Sequence, residues 1–246
     1  MVKVLGITQA RVGSTRLPGK ILMSILEKPL LAYHLESAIR SNMIDKWVVA
    51  TTNEIRVDKI VQIANQFHIE CYNGDIENVL SRFYEAAKLY SPDYIVRVTS
   101  DCPLLDAELI DSIVEYTLEN NLNYCATSLQ YPDGVDVEVF RFSELEEAYN
   151  YAILQSDKEH VTPFIRRKVI NSQIKNQFPC EGDFEYIRLT VDEIKDFEAI
   201  EILINALGAG LPWQKYVDFI INQPSLFSNQ KIIRNEGYLK SLKKDY

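Results

Sequence analysis

A chain of 246 residues is long enough to bury a substantial core, and its 26 lysines and arginines against 35 aspartates and glutamates leave a net charge of −9. That balance argues against a general nucleic-acid or anionic-membrane surface, so basic residues matter only where they cluster. Cys71, Cys102, Cys125 and Cys180 form no C-x-x-C pair and no zinc-ligand spacing with His34, His68 or His160, and read as reduced thiols. The chain starts on a strand without a basic-then-apolar leader, and no apolar run reaches the roughly 18 residues of a membrane span; a cytoplasmic location is expected.

Val2, Val4, Leu5 and Ile7 predict a first strand over 2–8. It runs into QARVGSTRLPGK, Gln9 to Lys20, a loop with Gly13 and Gly19, the hydroxyls of Ser14 and Thr15, and the cations Arg11, Arg16 and Lys20. Backbone N–H groups of such a turn cradle phosphate oxygens while the cations neutralise charge, so the segment from Ala10 to Lys20 is read as a triphosphate cradle. It is not a Walker loop, because Ile21 follows Lys20, and it lacks the dinucleotide G-x-G-x-x-G. The competing explanation is a basic surface loop whose glycines only supply positive φ.

Further strands are predicted at 46–51, 69–72 and 93–99, alternating with helices at 29–41, 53–67 and 75–89. The helices carry apolar stripes such as Ile55, Ile60, Ile63 and Ala64, and this alternation is the pattern of βαβ units and a mostly parallel sheet. Asp106 is a candidate N-cap for a helix to about Asn120. Strands at 123–128 and 134–140, separated by Tyr131-Pro132-Asp133-Gly134, make the second half of the sheet mixed. Helices at 143–155 and 159–170, strand-like segments at 172–178 and 184–191, and helices at 193–207 and 212–222 complete one domain over 1–222. The polar tail, 223–246, is expected to wrap the surface or fray, and no role is assigned to it.

Asp101, in VRVTSDCPLLD, ends the fourth predicted strand on the same rim as the cradle, where ligands of parallel sheets bind. Its carboxylate suits Mg²⁺, which takes one or two carboxylates plus substrate phosphates; its alternative role is to turn the chain before Pro103. Asp192, in LTVDEIKDFE, is either a second metal carboxylate or the N-cap of the helix that follows. Asp136 and Glu138 share one face of a predicted strand and either bind substrate hydroxyls or face solvent. Glu159 and His160 are further substrate candidates, although Ser156 with Glu159 also fits a capping box. Thr51, in Ala50-Thr51-Thr52, stands where a pyrimidine edge would be read.

ARVGSTRLPGK followed by ILMSILEKPLLAYHLESA resembles the N-terminal signature of the cytidylyltransferases that make CMP-activated sugar acids, the Kdo and acylneuraminate synthetases among them. GDIENVLSRFYEAA, VRVTSDCPLLD, PDGVDVEVF, EHVTPFIRR and RLTVDEIKDFE are most similar to the branch called spore coat polysaccharide biosynthesis protein F, so the likeness spans about 1–200. The resemblance implies an α/β fold, a GT-A-like, Rossmann-related three-layer sandwich, with CTP, Mg²⁺ and transfer of CMP with release of pyrophosphate. It also implies that Arg11, Gly13, Ser14, Arg16 and Lys20 hold the triphosphate, that Asp101 and Asp192 bind the metal, and that 123–180 serves the acceptor and a homodimer contact. Catalysis then rests on Lys20, Arg16 and Asp101 through positioning and charge stabilisation. Residues 133–167 depart from the Kdo and acylneuraminate enzymes, which leaves the acceptor open between a sugar acid and a sugar or polyol phosphate. Two alternatives stand beside this one. A GT-A glycosyltransferase normally shows D-x-D, for which only Asp136-Val137-Glu138 is a weak substitute; a nucleotide-binding module without turnover has little need of Asp101.

Overall fold

The computed structural model describes residues 2–169 and 176–245. β1 (Val4–Gln9) is followed by the loop from Ala10 and by a small antiparallel hairpin, β2 (Ser24–Ile25) and β3 (Lys28–Pro29), which feeds α1 (Leu30–Ala38). Next come β4 (Lys46–Thr52), α2 (Val57–Gln66), β5 (Glu70–Gly74), α3 (Val79–Lys88), β6 (Tyr94–Thr99) and α4 (Ala107–Glu119). Then follow β7 (Tyr124–Thr127), β8 (Glu138–Arg141), α5 (Phe142–Tyr151), α6 (Gln155–His160), α7 (Pro163–Val169) and β9 (Gln177–Phe178). α8 (Ile194–Leu207), α9 (Trp213–Asn222) and α10 (Glu236–Leu242) close the chain.

The sheet runs β5-β4-β1-β6-β8-β7-β9, and β5, β4, β1 and β6 are mutually parallel. β8 alone is reversed, antiparallel to both β6 and β7. Alternate residues of the central strands serve opposite faces, as the pleat requires. Val4, Val49 and Val96 pack with Leu31, Ile60 and Ile110 on one side, and Leu5, Val48 and Ile95 with Phe83, Leu145 and Ile165 on the other. A three-layer α/β sandwich results. Ile187, Leu189 and Val191 join α8 and α9 in a third apolar cluster beside it.

Several boundaries differ from the sequence expectation for local reasons. α2 begins at Val57 because Arg56 takes a left-handed conformation, φ 73, and Ile55 is left 89% exposed instead of on the helical stripe. α3 waits for Asn78, whose side chain accepts from Ser81 N–H at 2.9 Å, while Asp75 turns the preceding residues. Asp106 caps α4 as expected, accepting from Glu108 and Leu109 N–H. α5 stops at Tyr151 where Ala152 turns extended. The expected helix over 159–170 divides at Val161, φ 70, and resumes at Pro163, whose missing N–H suits a first turn.

The expected strand over 134–140 shortens to β8 because Gly134, φ 110, and the Asp136 carboxylate it donates to form a turn instead. A Cβ on Gly134 would lie 2.5 Å from the backbone of Leu189 and Thr190, so only glycine permits this approach. The segment 184–191 makes a single bridge, Asp133 to Arg188, and no ladder. Of the expected strand over 172–178, Gln177 and Phe178 pair with β7, and 170–175 lies outside the described residues. All four cysteines are free, and among the described residues no helix is long and apolar enough to cross a membrane.

Candidate active site

The parallel strands β1, β4 and β6 end on one rim, and reversed β8 begins there, so the residues after β1 and β6 meet Glu138 across a cavity of about 600 Å³. The loop after β1 is tied by Gly19 N–H to Val12 C=O, with Gly19 left-handed at φ 72, and a 3₁₀ turn then aims Lys20 inward. Lys20 Nζ donates to Asp101 Oδ2 at 2.7 Å and to Asp192 Oδ1 at 2.9 Å. Arg16 reaches the same Asp192 oxygen at 2.8 Å. Two carboxylates 91 positions apart in the chain thus converge on one ammonium.

Burial opposes the charge on both partners, yet the pairing prevails. Lys20 is raised above the ordinary lysine range, and Asp101 is brought down to about 2 by Lys20 with help from Thr99. Asp192 is held from behind. Arg188, 3% exposed, donates to Asp192 at 2.9 Å and to Asp196 at 2.8 and 3.1 Å, while Asp196 accepts from the N–H groups of Asp192 and Glu193. The N-cap of α8 falls on Glu193 in a capping box with Asp196, so Asp192 is not the cap and faces the cavity. On the other side, His34 Nδ1 donates to Cys102 C=O and receives the Thr8 hydroxyl at Nε2, each at 2.9 Å. Burial lowers its pKa, and this neutral ring braces the turn that carries Asp101.

Ala10, Arg11, Gly13 and Ser14 line one end of the cavity with Arg16 and Lys20. A Cβ at Gly13 would lie 2.2 Å from Glu54 Oε1, which also accepts the Thr52 hydroxyl through its other oxygen. Thr51, expected beside a base, is fully buried at the end of β4 and is not part of the cavity wall; its hydroxyl has no hydrogen-bond partner among the described residues. Sequence reasoning missed Arg82. It is 2% exposed on α3, its Nε and Nη1 lack partners, and burial and then Arg11 bring it down to about 10. An arginine set beside Val79 and Phe83 on a buried stripe was its only signal.

At the other end of the cavity Glu138 accepts Arg97, Tyr124 Oη at 2.7 Å and Thr162 Oγ1 at 2.7 Å. Burial would raise its carboxyl, but Arg97 and Arg166 hold it below the usual range. Asp136 does not share its strand face. It sits in the turn before β8, where it accepts Gly134 N–H at 3.0 Å and Arg234 at 2.5 Å. Asp133, paired with Arg188, is raised to about 7 by burial and then by Asp136. His160 Nε2 donates to Ser241 Oγ at 2.9 Å, and Ser241 donates to Glu159 at 2.8 Å. Burial, then Arg97, push His160 down to about 4, so it stays neutral. The expected Ser156–Glu159 capping box does not form: Leu154 is the N-cap, and Glu159 is turned to Ser241.

The tail does not fray. Arg234 donates to Leu129 and Tyr131 carbonyls at 3.0 and 2.9 Å, Asn229 donates to Arg188 C=O, and α10 lines the cavity from both ends. Nothing in its polar composition distinguished these residues from surface charge.

A Rossmann-like sheet with a cationic loop after its first strand, and two carboxylates drawn onto one lysine at its rim, defines a nucleotidyltransferase. The family model described as cytidylyltransferase matches residues 5–233, and the chain belongs to that family. It is 36% identical over 243 residues to an uncharacterised protein of Methanocaldococcus jannaschii, covering 96% of this chain and 98% of the other. It is 30% identical over 214 residues to the spore coat polysaccharide biosynthesis protein SpsF of Bacillus subtilis, covering 85% and 89%. A solved cytidylyltransferase from Leptospira borgpetersenii superposes with TM-score 0.88 at 32% identity, covering 95% of this chain and all of that one. The protein is an enzyme of CTP-dependent nucleotidyl transfer; the glycosyltransferase and non-catalytic alternatives give way to it.

Proposed function

We propose that this enzyme transfers CMP from CTP to an oxygen of a sugar-type acceptor bearing a carboxylate or phosphate, with release of pyrophosphate, in the synthesis of a surface polysaccharide. The observation that carries the reading is Lys20, held between Asp101 and Asp192 at the end of the cationic loop. The likeness to SpsF supports the polysaccharide context.

In this reading Arg11, the backbone of Gly13 and Ser14, and Arg16 bind the triphosphate, and the two open donors of Arg82 serve the nucleoside beside Arg11. The donor chemistry of Asp101 and Asp192, hard carboxylate oxygens already gathered around one cation, fits Mg²⁺. Bound there with the phosphates, Mg²⁺ supplies charge neutralisation at the phosphoryl oxygens. Lys20 is fixed by its two carboxylates and needs no reorganisation to stabilise charge developing at the α-phosphoryl group. The acceptor oxygen forms its bond to the α-phosphorus as the bond to the bridging oxygen breaks, and pyrophosphate leaves with that electron pair.

At the acceptor end, Glu138 has its oxygens committed to Arg97, Tyr124 and Thr162 and therefore shapes the wall. Arg166, whose guanidinium makes no hydrogen bond among the described residues, faces the cavity and suits an anionic group. The test is pyrophosphate release from each of the four nucleoside triphosphates with Mg²⁺, against sugar acids, sugar phosphates and polyol phosphates. Release with CTP and one acceptor is expected; equal release with UTP or GTP would overturn the assignment.

A further inference from the structure

α10 bridges the two ends of the cavity. Glu236, its first residue, places Oε2 3.5 Å from Arg16 Nη1 and Oε1 2.8 Å from Lys240 Nζ. Five residues on, Ser241 joins His160 and Glu159, and the Tyr238 ring lies edge-on to His160 and under the Arg166 guanidinium, 5.2 Å from each. The groups that hold this helix are therefore groups the proposed substrates would use. Ser241 is its only fully buried residue, Leu239 is 48% exposed, and Tyr238 and Leu242 are no more than half-buried, so no fully buried apolar side chain anchors it. Elements held by a few polar contacts open at low free-energy cost.

Electrostatics points the same way. Arg16 and Lys20 face three carboxylates, Asp101, Asp192 and Glu236. A triphosphate adds several negative charges at Arg16. Asp101 and Asp192 gain a partner if a divalent cation comes with it, whereas Glu236, on α10, is left facing like charge. We propose that α10 is a strap latched to the nucleotide loop through Glu236, that a nucleoside triphosphate unlatches it by taking Arg16, and that acceptor access to Arg166, Glu159 and His160 follows. This rests on the reading of Arg11 to Lys20 as the triphosphate loop. Binding would then be ordered, nucleotide before acceptor, and the coupling must be reciprocal: whatever weakens the latch strengthens nucleotide binding.

The experiment uses the full chain and CTP with Mg²⁺ as the probe. Calorimetry gives the affinity, and hydrogen–deuterium exchange follows amides 236–244. CTP is expected to speed their exchange several-fold. Glu236→Gln is expected to bind CTP about two- to fivefold more tightly, the range of a partly exposed ion pair. Ser241→Ala, which touches no residue of the nucleotide loop, should tighten CTP in the same direction, and melting curves check that both variants fold. Tightening by Glu236→Gln alone would reveal only local charge repulsion and overturn the strap, as would CTP binding that leaves α10 exchange unchanged or slower. Failure of the folded wild-type chain to bind CTP would instead overturn the triphosphate-loop reading itself.

Discussion

At the proposed nucleotide end of the cavity, Lys20 ends the loop that follows β1 and Asp101 follows β6, adjacent parallel strands paired from Val4–Tyr94 to Gln9–Thr99. At the proposed acceptor end, Asp136, Glu138 and His160 are held by side chains from elsewhere: Arg234, Arg97 and Ser241. The ladder sets where the first region's loops begin, and its side chains Lys20, Arg16, Asp101 and Asp192 pair on the cavity surface, where a ligand reaches them. The second spends its polar groups on one another, so its shape depends on which ion pairs survive. Damage should therefore appear as lost chemistry at one end and lost stability at the other.

Lys20→Ala tests the first half of that contrast. Pyrophosphate release with the acceptor that the nucleotide assay selects should fall about a hundred- to thousandfold, the effect of removing one preorganised donor to developing charge, while circular dichroism still reports a folded chain. Glu138→Ala tests the second. It leaves Arg97 and Arg166 without the carboxylate that both act on, and urea denaturation should show a loss of about 3 kcal/mol with CTP affinity within about twofold of wild type. A variant with full stability would mean that the acceptor end does not depend on this network.

His160→Gln sharpens the comparison through pH. His160 titrates near 4 in the folded chain against 6.5 ordinarily, so the unfolded chain binds the proton more readily. Its contribution is complete above about pH 6.5 and is lost as pH falls toward 4. Wild type should therefore lose roughly 2 kcal/mol more than the variant over that window, allowing for the partial exposure of the ring. His34 is lowered too but is common to both proteins and cancels. The smallest effect is expected of Asn78→Ala, which removes the cap of α3 and should cost about 1 kcal/mol without changing the pH profile.

The same contrast explains what could be read from the chain. Glycine and cation spacing in Gln9 to Lys20, and an aspartate at the end of an apolar β run, are local signals, and the strands of the parallel ladder fell within two residues of where periodicity placed them. Asp192 was legible as a candidate, but its freedom from capping was not, because that depends on Glu193 taking the cap with Asp196. Arg188, Arg234 and Ser241 act across 55, 98 and 81 positions on Asp133, Asp136 and His160, and no window of sequence holds such pairs. Asp136 was misplaced for a related reason. Alternation in GVDVEVF is genuine strand pattern, but Gly134 needs to sit against the Leu189 backbone, and that contact bends the first residues away.

The reversal of β8 has a consequence for how this enzyme can change. Because β7 ends and β8 begins at the same rim, with Ala126 opposite Glu138, the connection between them leaves and re-enters the sheet a few ångströms apart. Lengthening such a connection adds little closure entropy and requires no new crossover, whereas each parallel strand must be reached by a chain that recrosses the sheet. On the proposed reading, exchanging residues 128–137 between relatives, with Asp133 kept for its pairing with the Arg188 that backs Asp192, is the smallest graft with which to redirect what receives the nucleotide.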